Sequence, residues 1–278
     1  MSCERLGGSG AAPDRAAPEP RPGADDLAAY CAAPPAGGWP PGWVVHYRAE
    51  AASTQDLARA AAEAGAPHGT VYVADWQRAG RGRRGRAWLA PPGTSLLFSL
   101  VARDVRLAPF AQTAVCALAL CRVLAREGLA PAVKWPNDVL LGDRKVAGVL
   151  TERVSGAAGA YQIVGIGLNV VYGAARDALP PFATALDWEL GRPLPRGPLL
   201  GALLRELAPL LAAPATAWEG GLYGEWLRHL WRRHQTVRLA TDAETLAGRV
   251  EGAALDGALL LRLPSGALHR VTVGDVLL

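Results

Sequence analysis

The sequence predicts an α+β domain followed by a small all-β domain. Half of the 278 residues are apolar, enough for a sizeable core, so a disordered or disulfide-stapled chain is a poor match. Between residues 42 and 235, helix-like and strand-like runs alternate. From Thr236 onward the pattern changes to short strands and glycine turns. We therefore expect the α+β domain over residues 42–235 and the all-β domain over 236–278.

Residues 1–41 are dominated by alanine, proline and glycine, a composition that predicts a disordered leader. Asp25–Cys31 could form one or two helical turns. The leader is too short and too rich in proline for a helix-turn-helix domain. It lacks the apolar core of a signal peptide, and the uncharged apolar stretch Leu107–Cys121 is too short to span a bilayer. We expect a cytoplasmic protein that does not contact membranes.

Caps, periodicity and turn residues predict the elements of the α+β domain. A strand-like run covers Gly42–Tyr47, and the Ser53 cap, acidic Asp56 and Gly65 stop predict a helix over Leu57–Ala64. The further predicted strands are Thr70–Ala74, Ser95–Ala102, Ala132–Trp135, Val139–Leu141, Val146–Arg153 and Gln162–Val171, and the further helices are Leu107–Glu127, Pro198–Leu211 and Trp218–Arg233. The all-β domain has predicted strands at Val237–Ala240, Leu246–Glu251, Leu259–Leu263 and His269–Val273.

The charge balance is small but its composition is unusual. The chain has 29 basic and 25 acidic residues, a net +4, which does not suggest a surface coated with cations for nucleic acid. Only two basic residues are lysines, Lys134 and Lys145, and the rest are arginines. In a chain with so many arginines, each of the two lysines is a candidate for a role that requires an ammonium group.

The densest motif is the Gly80–Arg86 loop, Gly-Arg-Gly-Arg-Arg-Gly-Arg. It matches G-x-G-x-x-G, but a dinucleotide fold needs a helix after the last glycine, and here Pro91-Pro92-Gly93 and an apolar strand follow. Kinase and Walker A motifs are missing from the sequence. Five arginines within residues 78–86 predict a site for an anionic small molecule, and their repulsion predicts a loop that is mobile until the anion binds. An RNA-binding Arg/Gly segment and a merely solvated loop are the alternatives.

Three further motifs lie at strand ends or on strands. Lys134–Asp138 is a strand end entering a tight corner. Arg144–Leu150 places Lys145 where a turn enters an apolar strand. In Val164–Val170 two glycines leave room for a flat ring, and Asn169 could bond to a base edge, although a strand bulge explains the glycines equally well. The four cysteines (Cys3, Cys31, Cys116 and Cys121) lack metal-ligand spacing, so no metal site and no protein nucleophile is predicted.

In this order and combination, the motifs resemble those of biotin protein ligases. The residues that carry the resemblance are Ser53-Thr54-Gln55, Gln77 through Arg86, Lys134–Asp138, Arg144–Gly148 and Gly165–Asn169. It extends from about Trp43 to the C-terminus. It implies a catalytic domain related to the class II aminoacyl-tRNA synthetases and a barrel-like C-terminal domain. It also implies two half-reactions: ATP and biotin form biotinyl-5′-AMP, and the biotinyl group then passes to a lysine of a carboxylase carrier domain.

The resemblance implies roles for individual residues. Lys145 and Arg83 would be catalytic, with Lys145 beside the reacting carboxylate and phosphate. The residues implied to bind substrate are Ser53, Thr54, Gln55 and Gln77 around biotin, Arg81, Gly82 and Arg83 closing over biotin and the acyl-phosphate, and Lys145. Secondary candidates are Trp88 on the nucleotide side, Lys134 and Asp138 near the phosphate and acceptor-lysine path, Gly148 in the Lys145 strand, and Asn169 facing adenine. Gln55 departs from the asparagine that many relatives have there.

The resemblance also implies cofactors and partners. ATP and biotin would be the substrates, with Mg²⁺ accompanying ATP, and a biotin carboxyl carrier protein would be the acceptor. Because the leader is too short for a DNA-binding domain, we expect a monofunctional ligase that does not bind DNA. The sequence leaves open whether the chain forms a homodimer. Two alternatives remain: a lipoate-type ligase of the same superfamily, which usually lacks the arginine loop, and a non-catalytic Arg/Gly nucleic-acid-binding protein.

Overall fold

Seven strands form a mixed sheet in the larger domain. The computed structural model describes residues 27–34, 38–156 and 159–277. In chain order the strands are β1 (Val44–Ala51), β2 (Thr70–Gln77), β3 (Ser95–Arg103), β4 (Pro131–Lys134), β5 (Asp138–Leu141), β6 (Arg144–Gly156) and β7 (Gly159–Asn169). Their spatial order is β1-β2-β3-β7-β6-β5-β4. β1 and β2 run parallel, and the other neighbours are antiparallel.

Helices cover both faces of this sheet. They are α1 (Leu27–Ala32), α2 (Thr54–Glu63), α3 (Pro109–Arg126), α4 (Leu186–Leu190), α5 (Arg196–Leu211) and α6 (Tyr223–Arg228). Successive strand residues point to opposite faces, so Val101 of β3 packs with Ala58 of α2, whereas Leu100 packs with α3 and α5. Ser99, with the same parity as Val101, therefore lies on the α2 side, where a polar cavity opens.

α3 is the most apolar helix of the core. By length and composition it could cross a membrane, but 67% of it is buried inside the fold, between the sheet and α5. Burial raises the pKa of the Cys116 and Cys121 thiols of this helix to about 12. These thiols stay protonated near neutral pH and are part of the core packing.

The C-terminal domain is a five-stranded antiparallel sheet, which contains the four predicted short strands and a fifth, β12, that was not predicted. Its strands are β8 (Thr236–Ala240), β9 (Thr245–Ala253), β10 (Leu259–Arg262), β11 (Leu268–Val271) and β12 (Asp275–Val276), in the spatial order β11-β10-β9-β8-β12. β12 pairs with β8 through Asp275 and Ala240. This pairing brings the end of the chain back toward the larger domain.

Aromatic side chains of the larger domain hold the β9–β10 connection. The indole of Trp135 donates to Gly257 O at 2.8 Å, and that of Trp218 donates to Leu255 O at 3.1 Å. Phe110 packs directly against Gly257. Three points of contact fix the C-terminal domain in place beside the Lys134–Asp138 corner.

The structure corrects two predictions of the secondary structure. The prediction of a disordered leader is wrong over residues 27–32, which form α1, as the one or two helical turns expected in this stretch allowed; Leu27 is buried and Tyr30 packs against two glycines of α5. Of the other residues in the predicted leader, 1–26 and 35–37 lie outside the described residues, and the structure describes 38–41. The predicted helix Trp218–Arg233 is a π-helical turn followed by the short α6, since Gly221, at φ 149°, interrupts it.

We expect Gly257→Ala to destabilise the domain junction. A Cβ there would lie 2.2 Å from the Phe110 ring, in a backbone with φ +95°. Gly266→Ala is the matched control, because its φ of +86° carries similar strain but its Cβ would meet no atom within 4 Å. In urea denaturation, Gly257→Ala should lower the free energy of unfolding by about 2–3 kcal/mol and Gly266→Ala by about 1 kcal/mol. Equal losses would contradict close packing at Gly257.

Candidate active site

A cavity of about 230 Å³ opens on the α2 side of the sheet. The N-terminus of α2, the arginine loop of residues 78–86, the Lys134–Asp138 corner and β12 surround it. Twelve of the thirteen predicted site residues line the cavity. They are Ser53, Thr54, Gln55, Gln77, Arg81, Gly82, Arg83, Trp88, Lys134, Asp138, Lys145 and Gly148. The motifs that are scattered along the chain therefore form one site.

Asn169 is the predicted residue that does not line the cavity. Its side chain is 2% exposed and its Nδ2 donates to Thr184 O at 3.0 Å. Its Oδ1 faces the Ser95 hydroxyl at 3.4 Å. The amide thus bridges β3, β7 and the loop before α4, and its contact with adenine stays a prediction.

Glycines form the floor of the cavity. In the sheet register, Gly165 pairs with Ser99, and Gly167 pairs with Gly148. A Cβ at Gly165 would lie 2.4 Å from Gln55 Oε1, and one at Gly167 would lie 2.6 Å from the Trp88 ring. The side chains above the floor need this space. The space predicted for a flat ring therefore exists at Gly167, and the Trp88 indole lies in it.

A β-bulge turns Lys145 toward the cavity. Val139 pairs with Ala147, whereas the next residue of β5, Leu140, pairs with Lys145, so Val146 is the extra residue. Because one inserted residue reverses the alternation of side chains, Lys145 shares the face of Gly148. Its ammonium lies 2.7 Å from Asp138 Oδ1 and 5.3 Å from the centre of the Trp88 ring.

One end of the cavity is lined by neutral polar side chains. Gln77 Oε1 accepts from the Thr54 backbone N–H at 2.7 Å and from the Thr54 hydroxyl at 2.9 Å. Ser99 donates to Gln55 Oε1 at 2.9 Å, while Gln55 Nε2 donates to Glu152 at 3.1 Å. These bonds use both lone pairs of Gln77 Oε1 and leave one on Gln55 Oε1. Within the described part of the chain, this end therefore offers a ligand the donors of Gln77 and an acceptor on Gln55.

The other end of the cavity is cationic. Arg83 donates to Asn137 Oδ1 at 3.0 Å, and Asn137 is itself fixed by a bond from its Nδ2 to Val149 O at 2.7 Å. Burial lowers the pKa of the Arg83 guanidinium, against the opposing effect of nearby Asp275 and Asp138. Burial likewise lowers the pKa of Lys134. Cations that are partly removed from water interact strongly with an anion that enters.

Carboxylates neutralise most of the arginine loop. Four of its five arginines are in ion pairs with acids from outside the loop. The pairs are Arg78 with Glu50, Arg81 with Asp56, Arg84 with Asp242, and Arg86 with Asp275. Arg83 forms no ion pair with any residue that the structure describes. The repulsion that predicted a mobile loop is therefore largely offset, and Arg83 is the guanidinium left for a ligand.

The sequence did not single out Ser99 or Asp275, which also line the cavity. The sequence contains a signal for Ser99, because it is a hydroxyl residue inside the apolar run of β3. Asp275 had none, because its position depends on how the C-terminal domain docks. Over residues 27–34, 38–156 and 159–277, no cluster of three or more His, Cys, Asp or Glu could hold a metal ion.

Two family profiles match the chain: the biotin/lipoate A/B protein ligase family over residues 50–169 and the biotin protein ligase C-terminal domain over residues 235–278. The biotin–[acetyl-CoA-carboxylase] ligase of Paracoccus denitrificans is 36% identical over 211 residues, which cover 71% of this chain and 86% of that protein. The chain belongs to the biotin protein ligase family. The predicted biotin ligase fold, with its small C-terminal β domain, is thereby confirmed.

Other relatives differ in length. The bifunctional ligase/repressor BirA of Escherichia coli is 32% identical over 197 residues, and the match covers 69% of this chain. The chain spans 61% of that protein and about half of the Bacillus proteins of the same name. The biotin protein ligase of Aquifex aeolicus in complex with biotin and ATP superposes with a TM-score of 0.70 at 26% identity, over 84% of this chain and 97% of that one.

Proposed function

We propose that this protein is an ATP-dependent ligase that activates biotin as biotinyl-5′-AMP and transfers the biotinyl group to a lysine of a biotin carboxyl carrier domain. The observation that carries the proposal is one cavity with a neutral hydrogen-bonding end and a cationic end. The name of the Paracoccus relative and the biotin and ATP bound to the Aquifex ligase support the same substrates.

The neutral end complements the ureido ring of biotin. That ring offers N–H donors and one carbonyl acceptor, which match the acceptor on Gln55 and the donors of Gln77. The dithiolane ring of lipoate offers neither, so it would leave the free lone pair of Gln55 Oε1 and the donors of Gln77 without a ligand partner. Sites built to hydrogen-bond a substrate reject analogues that lack the polar group by about 10⁴-fold or more. The structure therefore favours biotin over lipoate.

The cationic end suits adenylation. A carboxylate oxygen of biotin forms a bond to the α-phosphorus of ATP, the bond to the bridging oxygen breaks, and pyrophosphate leaves. Both reactants are anions, so the barrier falls if fixed cations lie where negative charge gathers. Lys145 and Arg83 line this end, and Lys145 is aimed by its bulge and held by Asp138. Mg²⁺ is expected to enter on the ATP phosphates, since it needs only one or two protein carboxylates, and Asp138 and Asp275 line this end.

In the second half-reaction, the amine of the acceptor lysine attacks the acyl carbon and AMP leaves. The amine loses a proton, and Asp138, which lines the cavity beside Lys145, is the carboxylate placed to take it. Closure of the arginine loop over the adenylate would exclude water, which would otherwise hydrolyse the mixed anhydride. We place this reaction in the cytoplasm.

Pyrophosphate release tests the proposed function directly. The full chain is incubated with ATP, Mg²⁺ and one of biotin, lipoate or octanoate. Of the three acids, we expect only biotin to support the release of pyrophosphate. We also expect biotinylation of a carrier domain when one is added. Release with lipoate, release without any acid, or no release with biotin would each contradict the proposal.

We expect Lys145→Ala to slow adenylation far more than it weakens biotin binding. Loss of one group that stabilises developing charge costs about 10²–10³ in rate, whereas the neutral end that holds the ring of biotin is left intact. Single-turnover formation of biotinyl-AMP and equilibrium titration with biotin measure the two effects. Arg144→Ala is the matched control, because the side chain of this neighbour is exposed and pairs with Glu189. Wild-type rates of both half-reactions in Lys145→Ala would contradict its role.

A further inference from the structure

Glu152 lies on β6 beside the neutral end of the cavity. Its carboxylate accepts from Gln55 Nε2 at 3.1 Å and from Arg59 at 2.7 Å, and Arg81 Nη1 lies 3.7 Å away. It is thus in contact with α2, with the arginine loop and with one of the amides that face the cavity. It is not itself among the residues that line the cavity around the floor glycines.

The chemistry of a carboxylate restricts how Gln55 can be oriented. An ionised carboxylate accepts hydrogen bonds and donates none, so the amide must turn its Nε2 toward Glu152. The second Nε2 hydrogen faces Ile163 O at 3.4 Å. Both donors are then used within the protein. The Oε1 atom lies over Gly165, where it accepts from Ser99.

We propose that Glu152 is a positioning residue that fixes the orientation of the Gln55 amide, so that this end of the cavity presents an acceptor and selects a ligand with an N–H donor. The inference rests on the proposed function, in which a ureido nitrogen of biotin is that donor. Arg59 donates to the same oxygen, Oε2, that accepts from Gln55, and Arg81 lies 3.7 Å from the other oxygen, Oε1. Glu152 does not line the cavity and acts on the ligand through Gln55, while Arg81, its other contact that lines the cavity, has a shorter ion pair with Asp56.

Glu152→Gln tests the proposal, because an amide can donate as well as accept and no longer imposes one orientation on Gln55. We expect the KM and the equilibrium Kd for biotin to rise about tenfold, the value of roughly one hydrogen bond. The kcat at saturating biotin and the KM for ATP should stay within about twofold of wild type, since Lys145 and Arg83 are untouched and Arg81 keeps its shorter ion pair with Asp56.

Arg59→Gln is the matched control. It removes the shortest ion pair of Glu152 and leaves the carboxylate as an acceptor for Gln55. The Kd for biotin in this variant should stay within about twofold of wild type. If Glu152→Gln fails to fold because Arg59 loses its partner, the double variant Arg59→Gln/Glu152→Gln restores a neutral pair, and the same rise in Kd is expected.

Two results would overturn the inference. One is an unchanged Kd for biotin in the folded Glu152→Gln variant or in the double variant. The other is an equal rise of the Kd in Arg59→Gln, which would show that Glu152 acts only as an ion-pair partner of Arg59. Biotin-dependent pyrophosphate release by the wild-type chain separates this failure from a failure of the proposed function. If release occurs and the Kd is unchanged, the role of Glu152 alone is wrong. If the wild type releases no pyrophosphate with biotin, the proposed function is wrong and the inference falls with it.

Discussion

The charge of the arginine loop is the constraint on which the site depends. Five guanidiniums within residues 78–86, three of which line the cavity, can lie this close together only if other groups balance them. Carboxylates at the end of β1, on α2 and in the C-terminal domain provide that balance for four of them. Most of these pairs are solvent-exposed, so each contributes at most about 1 kcal/mol to stability. Their effect is mainly geometric: they place the loop and leave Arg83 at the cavity without an ion-pair partner among the described residues.

This balance makes the C-terminal domain part of the site. Asp275 both pairs with Arg86 and lines the cavity, although it lies more than 180 residues from the loop in sequence. It can do so because Trp135 and Trp218 donate to the β9–β10 connection and hold the two domains together. Trp135 belongs to the same corner as Lys134, so the docking contact and the cationic end of the cavity share one tight turn.

Much of the site could be predicted from the sequence, because its motifs lie at strand ends and on adjacent strands. Lys134, Asp138, Gly148 and Gly167 form one row across β4, β5, β6 and β7, and the register brings them together. The aim of Lys145 depends on a bulge, which no residue pattern signalled. Glu152 and Asp275 were missed for a related reason, since their contacts come from tertiary packing. The sequence motif singled out Asn169, but its side-chain amide forms its hydrogen bonds within the protein.

The rate at which biotinyl-AMP dissociates tests the central claim most directly, namely that Arg83 is the loop cation left for the ligand. Arg83→Ala is compared with Arg78→Ala, whose side chain is exposed and pairs with Glu50. Loss of a charge-assisted contact to the adenylate should speed dissociation at least about tenfold in Arg83→Ala, with Arg78→Ala within about twofold of wild type. An unchanged rate in Arg83→Ala, or the same increase in both variants, would contradict the account.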